Sequence, residues 1–126
     1  MSLIDVDSYE VNPIDYRGYQ DNKAGFVQSL LSNNFIHYAQ EVGREMILQK
    51  DATRPGLGST DMGNVSQIFP SIHPMLGIGE KEAVNHQPEY AAATLTEGGH
   101  KAIYDGAYAM GASIIDLAEK NLWDQL

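Results

Sequence analysis

Cysteine is absent from the 126 residues, which removes disulfide scaffolds, cysteine-based zinc sites and thiol nucleophiles together. Basic residues are scarce: 8 Lys and Arg stand against 17 Asp and Glu, for a formal net charge of −9. A chain this acidic is repelled on average by nucleic-acid phosphates and anionic membrane surfaces, and it has no basic stripe to offset that, so neither is expected as a partner. No uninterrupted apolar run nears the roughly 20 residues that a bilayer-spanning helix needs, and residues 1–7 lack the basic-then-apolar order of a secretion signal. A cytoplasmic protein is the expectation. Met1, Ser2 and Leu3 read as a short added leader and receive no structural weight.

What is present suits one globular domain or less, with 43% hydrophobic and 9% aromatic residues. A chain of this length buries about two-thirds of its unfolded surface, so a core is possible. Residues 8–20 carry β-branched and aromatic side chains and read as one strand, placed at an edge by Pro13, which cannot donate a ladder hydrogen bond. Asp21 and Asn22 can cap a helix with Phe26, Leu30, Leu31, Ile36 and Tyr38 on or near one stripe. Asn33 and Asn34 are expected to divide it, and Gly43 to stop it. Residues 44–50 offer a short strand with Met46 and Leu48 on one face.

Pro55, Gly56 and Gly58 make residues 51–58 a loop. The turn Gly58-Ser59-Thr60-Asp61 then suits a helix N-cap, leading into a brief helix that ends near Phe69 and Pro70. Residues 72–78 read as a buried strand closed by Gly77 and Gly79. In the C-terminal third, Ile103, Ala107, Met110, Ile114 and Leu117 recur at steps of four and three, the mark of one buried helix face. Gly106 and Gly111, with Ala102, Ala109 and Ala112, would let that helix approach a sheet closely. Helices alternating with strands imply α/β layering, although three candidate strands are few for such a fold. Either strands are hidden or part of the domain lies elsewhere.

The four histidines, His37, His73, His86 and His100, are spaced by 36, 13 and 14 residues, which matches no compact metal motif. Taken singly, His37 and His100 sit in helical patterns and read as surface residues. His73, between Ile72 and Pro74 in the expected buried strand, needs a hydrogen-bond partner. His86 follows Gly79 through a polar loop, the region where open α/β sheets place ligands. Imidazole there can ligate a metal if other ligands converge on it. Glu80, Glu82 and Glu89 lie near in sequence, but carboxylates this local are more often solvated charge.

The ordered set Gly58-Ser59-Thr60-Asp61-Met62-Gly63-Asn64-Val65-Ser66, Pro70-Ser71-Ile72-His73-Pro74, Gly77-Ile78-Gly79 and Asn85-His86 resembles the C-terminal part of M20-type metallopeptidases and amidohydrolases. Within them it is most similar to the branch containing p-aminobenzoyl-glutamate hydrolase and Xaa-Arg-type dipeptidases. The likeness covers roughly residues 58–90; each piece is weak alone and the ordered set is fairly specific.

The resemblance implies a zinc-exopeptidase-like α/β catalytic domain, a mixed sheet flanked by helices, interrupted by an inserted lid or dimerisation domain. Residues 4–20 would then be the last strand of the lid and the crossing back, and residues 21–126 the second half of the catalytic domain. Incompleteness of that kind would account for the thin sheet. The resemblance also implies two divalent metal ions, usually zinc, with His86 as the one ligand in this segment. The remaining ligands and the general base belong to the other half; Glu80, Glu82 and Glu89 do not stand in for them. Gly77, Gly79, Thr60 and His73 would lie near the substrate cleft, with Asp61 structural; for the two glycines, tight turns alone are an equal alternative. The implied substrate is a small peptide or N-acyl amino acid, the implied assembly a homodimer of the intact protein. A non-catalytic half-domain that binds or assembles is the alternative function.

Overall fold

In the computed structural model the described residues are 2–5, 22–48, 61–65, 68–79 and 83–126. The first helix, α1, runs unbroken over Asn22–Glu41; the break expected at Asn33 and Asn34 does not occur. An asparagine costs a helix less than about 0.7 kcal/mol relative to alanine, and Asn34 gains a distant partner. Its Nδ2 donates to the carbonyl of Ser113 at 3.2 Å. The helix stops at Gly43 as expected. The Gly43 N–H donates to the Gln40 carbonyl and that of Arg44 to the Ala39 carbonyl, each at 3.0 Å. These are the two bonds of a Schellman closure, which needs a left-handed residue; Gly43 has φ +83°.

That turn feeds β2, Met46–Leu48. β2 lies antiparallel to β1, Ser2–Asp5, in the register Leu3 to Leu48, Ile4 to Ile47 and Asp5 to Met46. β1 runs parallel to β3, His73–Met75, with Ser2 opposite His73 and Ile4 opposite Met75, so the strand order is β2-β1-β3. Ser2 and Leu3, given no weight from the sequence, therefore form half of the middle strand; a segment so short carries no period from which to read it. The strand expected over 8–20, the loop over 51–58 and the boundary between 4–20 and 21–126 lie outside the described residues.

β3 is shorter than the buried strand expected over 72–78, and its residues are only half-buried. Pro74 brings no N–H to a ladder, which fits a strand with one unpaired side among the described residues. α2 spans Met62–Val65, and Ile68 and Phe69 N–H groups continue the turn by donating to the Val65 carbonyl at 3.0 and 2.9 Å. α3 spans Pro88–Ala93 with proline in its first turn, where a missing N–H costs nothing. The long helix α4 covers Glu97–Glu119, capped by Thr96, whose Oγ1 accepts from the Gly99 N–H at 3.3 Å. A 3-10 turn, Trp123–Gln125, follows.

The core joins Phe35 and Ala39 of α1, Met46 of β2 and Ala109 of α4, with Ile36, Tyr38, Ile72 and Leu76 packed against them. Across the α1 and α4 pair, the Tyr108 hydroxyl donates to Glu41 Oε2 at 2.6 Å. The inward side of α4 is not the expected one. Ile103, Met110 and Ile114 are 67%, 54% and 57% exposed, and Ala107 is exposed too. Only Leu117 of that stripe is buried. Gly99, Asp105, Gly106, Ala109 and Asp116 are buried instead. Small residues win this contest because they let backbones approach: a methyl on Gly106 would sit 3.0 Å from Leu76 Cδ1. Among the described residues no helix is long and apolar enough to cross a membrane.

Candidate functional site

The chain leaving β3 passes through Gly77, Ile78 and Gly79, a segment held from two sides. Arg44, placed by the closing turn of α1, has a side chain only 10% exposed. Its Nη1 donates to the Gly77 carbonyl at 2.8 Å and its Nε to Asp105 Oδ2 at 2.6 Å. Lys101, one turn earlier on α4, reaches the same carboxylate oxygen at 2.5 Å. Burial pushes the Asp105 carboxyl up, but the hydrogen bonds from Lys101 and Arg44 outweigh it, and the net shift is downward. Asp105 is therefore charged at neutral pH, and its pair with Arg44 is a true ion pair.

The second restraint is the first turn of α4. A side chain at Gly98 would collide with the Ile78 carbonyl, and a Cβ on Gly79 would lie 3.7 Å from the Gly98 Cα. Gly79 has φ +88°, the left-handed region that glycine enters at no steric cost. Of the glycine pair, Gly79 turns the chain, while Gly77, buried, presents its carbonyl to Arg44.

Past residues 80–82, which lie outside the described residues, Ala83 is buried and the chain turns through Asn85 and His86. Gln87 N–H closes that turn on the Val84 carbonyl at 3.3 Å. His86 is exposed and has φ 64°, a conformation that costs a residue with a Cβ about 1 kcal/mol or more. Such strain at an exposed imidazole, directly ahead of α3, marks His86 among the histidines. Glu80 and Glu82 lie outside the described residues, and Glu89 is exposed in the first turn of α3. Among the described residues no group of three or more His, Asp or Glu converges to hold a metal ion.

The other expected site residues are dispersed in character. His73 is half-buried in β3; burial lowers its pKa, so the ring is neutral at pH 7, and its buried Nδ1 has no hydrogen-bond partner among the described residues. Asp61 is exposed in the turn before α2, where its carbonyl accepts from the Asn64 N–H at 3.0 Å. Thr60 lies outside the described residues. His37 is exposed, with Nε2 3.6 Å from Glu41 Oε1, and His100 is exposed on α4.

Arg44, Asp105 and Gly98 did not emerge from the sequence, although they fix the Gly77–Gly79 segment. Local pattern holds no signal for Arg44, since a charged residue after a helix stop reads as solvated. Gly98 stands in a Gly98-Gly99 pair inside a helix, where glycine costs about 1 kcal/mol, and that anomaly was the available clue.

No family model matches the chain, and no solved structure matches it. It is similar to curated proteins of one kind, dipeptidases. It is 30% identical over 90 residues to a Xaa-Arg dipeptidase of Mus musculus, covering 71% of this chain and 21% of that protein. It is 34% identical over 79 residues to a Xaa-Arg dipeptidase of Homo sapiens, covering 63% of this chain and 16% of that one. The chain thus spans about a fifth of the length of the relatives it matches.

Proposed function

We propose that the chain is the C-terminal segment of an M20-type, metal-dependent amidohydrolase that cleaves the amide bond of a dipeptide or N-acyl amino acid. The observation that carries the reading is the partial likeness to two dipeptidases, joined to the ordered motifs at residues 58–86. The strained, exposed His86 beyond a firmly held glycine pair supports it.

The described residues on their own do not fit a metal pair, since no cluster of ligands converges among them. His86 would donate one imidazole nitrogen, and the other ligands and the general base would come from the rest of the intact protein. Bound divalent ions, zinc by the resemblance, would supply a water acidic enough to lose its proton near neutral pH. By itself this chain is inactive in that reading. The Gly77–Gly79 segment would line the cleft, where glycines let a substrate's end come close to the backbone.

The exposed stripe Ile103, Ala107, Met110 and Ile114 on α4 supports a second half of an α/β domain, its apolar face covered by the missing half in the intact protein. A homodimer of that intact protein, in the cytoplasm, completes the proposal. The test is to purify the full-length protein, measure bound zinc, and assay hydrolysis of a dipeptide ending in arginine before and after chelation. Bound metal and chelator-sensitive hydrolysis are expected. A metal-free protein that hydrolyses no amide substrate would contradict the proposal.

A further inference from the structure

The Arg44 side chain, only 10% exposed, stands where three elements meet, and two of its bonds have different destinations. Nε meets the Asp105 carboxylate at 2.6 Å and Nη1 the Gly77 carbonyl at 2.8 Å. Asp105 keeps a second cation, Lys101, at 2.5 Å. Lys101 is 59% exposed at its side chain and also donates to the Val42 carbonyl at 3.3 Å. The planar guanidinium fork holds the Asp105 carboxylate and the Gly77 carbonyl in one rigid geometry, whereas the flexible ammonium of Lys101 joins the same carboxylate to the Val42 carbonyl.

The geometry of α1 makes this placement reproducible. The Schellman closure at Gly43 uses the Arg44 N–H itself, donated to Ala39, so the backbone that carries the guanidinium is anchored before its side chain crosses to Asp105. On the far side, Gly98 leaves no room between α4 and the Ile78 carbonyl. A segment gripped at Gly77 by charge and at Ile78 by close contact has little freedom to drift.

We infer that Arg44 is a positioning residue, which, anchored by Asp105, sets the Gly77–Gly79 segment in the one place where it can receive the end of a substrate. This rests on the functional reading above for the substrate, but the restraint on the segment stands independently of it. Arg44 touches no substrate; its effect passes through the Gly77 carbonyl.

The test uses full-length protein with Arg44→Met, Arg44→Lys and Lys101→Met. Amide hydrogen exchange over residues 76–80 is measured alongside KM, kcat and zinc content, with a dipeptide ending in arginine as the probe. Arg44→Met is expected to speed exchange in this segment by about tenfold and raise KM about tenfold, with kcat changed less than about threefold and zinc content unchanged. Arg44→Lys, which keeps the charge for Asp105 but loses the fork, is expected to fall between Arg44→Met and the parent, and carries the same test should Arg44→Met not fold. Lys101→Met removes a partner of the same carboxylate without touching Gly77 and is expected to leave exchange and KM unchanged. Exchange at residues 76–80 equal to the parent in the Arg44 variants, or equal effects from Lys101→Met, would overturn the inference. A parent protein without hydrolysis would instead sink the functional reading, while the exchange comparison would still decide whether Arg44 holds the segment.

Discussion

Arg44 and Asp105, distant in sequence, meet at 2.6 Å with side chains 10% and 9% exposed, and that pair ties the end of α1 to the middle of α4. Removing one partner of a buried pair leaves an uncompensated charge. Asp105→Ala in the full-length protein is expected to cost about 3 kcal/mol in urea unfolding.

The same carboxylate sets a pH dependence. Its folded-state pKa is lowered, so the stability it contributes is complete above its unfolded value of about 4 and is lost as pH falls through the lower folded value. Urea midpoints recorded from about pH 6 down to pH 2 are expected to fall on the acid side, with a shallower fall in Asp105→Asn. An identical acid limb in that variant would show that the carboxylate is not held as described.

Among the described residues, Phe35, 2% exposed, is the largest buried member of the cluster it forms with Ala39, Met46 and Ala109. Phe35→Ala is expected to destabilise the full-length protein by about 3–5 kcal/mol, read from the urea midpoint. A loss below about 1 kcal/mol would mean that α1 and α4 do not meet around it.

Gly43 was legible as a stop because a left-handed turn is a local demand that glycine meets best, and the structure closes α1 there. The uninterrupted α1 was not legible: what sustains Asn34 is the Ser113 carbonyl on α4, a partner no window around residue 34 contains. The inward face of α4 failed for a related reason. Hydrophobic periodicity selects the bulkiest stripe, Ile103 to Ile114, whereas the packing selects the stripe of least volume, Gly106 and Ala109, which sequence reasoning noted only as permitting close approach. At the site, the glycine pair and His86 could be singled out, one by turn chemistry and the other by its place after it. The clamp from Arg44 could not, because a charge becomes a tether only when its distant partners are known.

The exposed stripe of α4 gives two opposite expectations. In the isolated 126-residue chain, Ile103→Glu with Ile114→Glu is expected to reduce self-association, measured by light scattering, because the apolar patch loses continuity. In the full-length protein the same pair is expected to destabilise by more than about 3 kcal/mol, since the charges would be buried. No destabilisation there would show that nothing covers this face.

The proposed role of His86 as a metal ligand in a longer hydrolase is tested by the zinc content of full-length protein carrying His86→Ala, with His100→Ala as the control. The expected result is metal retention weakened at least about tenfold with hydrolysis lost in parallel, while His100→Ala behaves as the parent. Unchanged metal content and unchanged rate in His86→Ala would contradict the assignment.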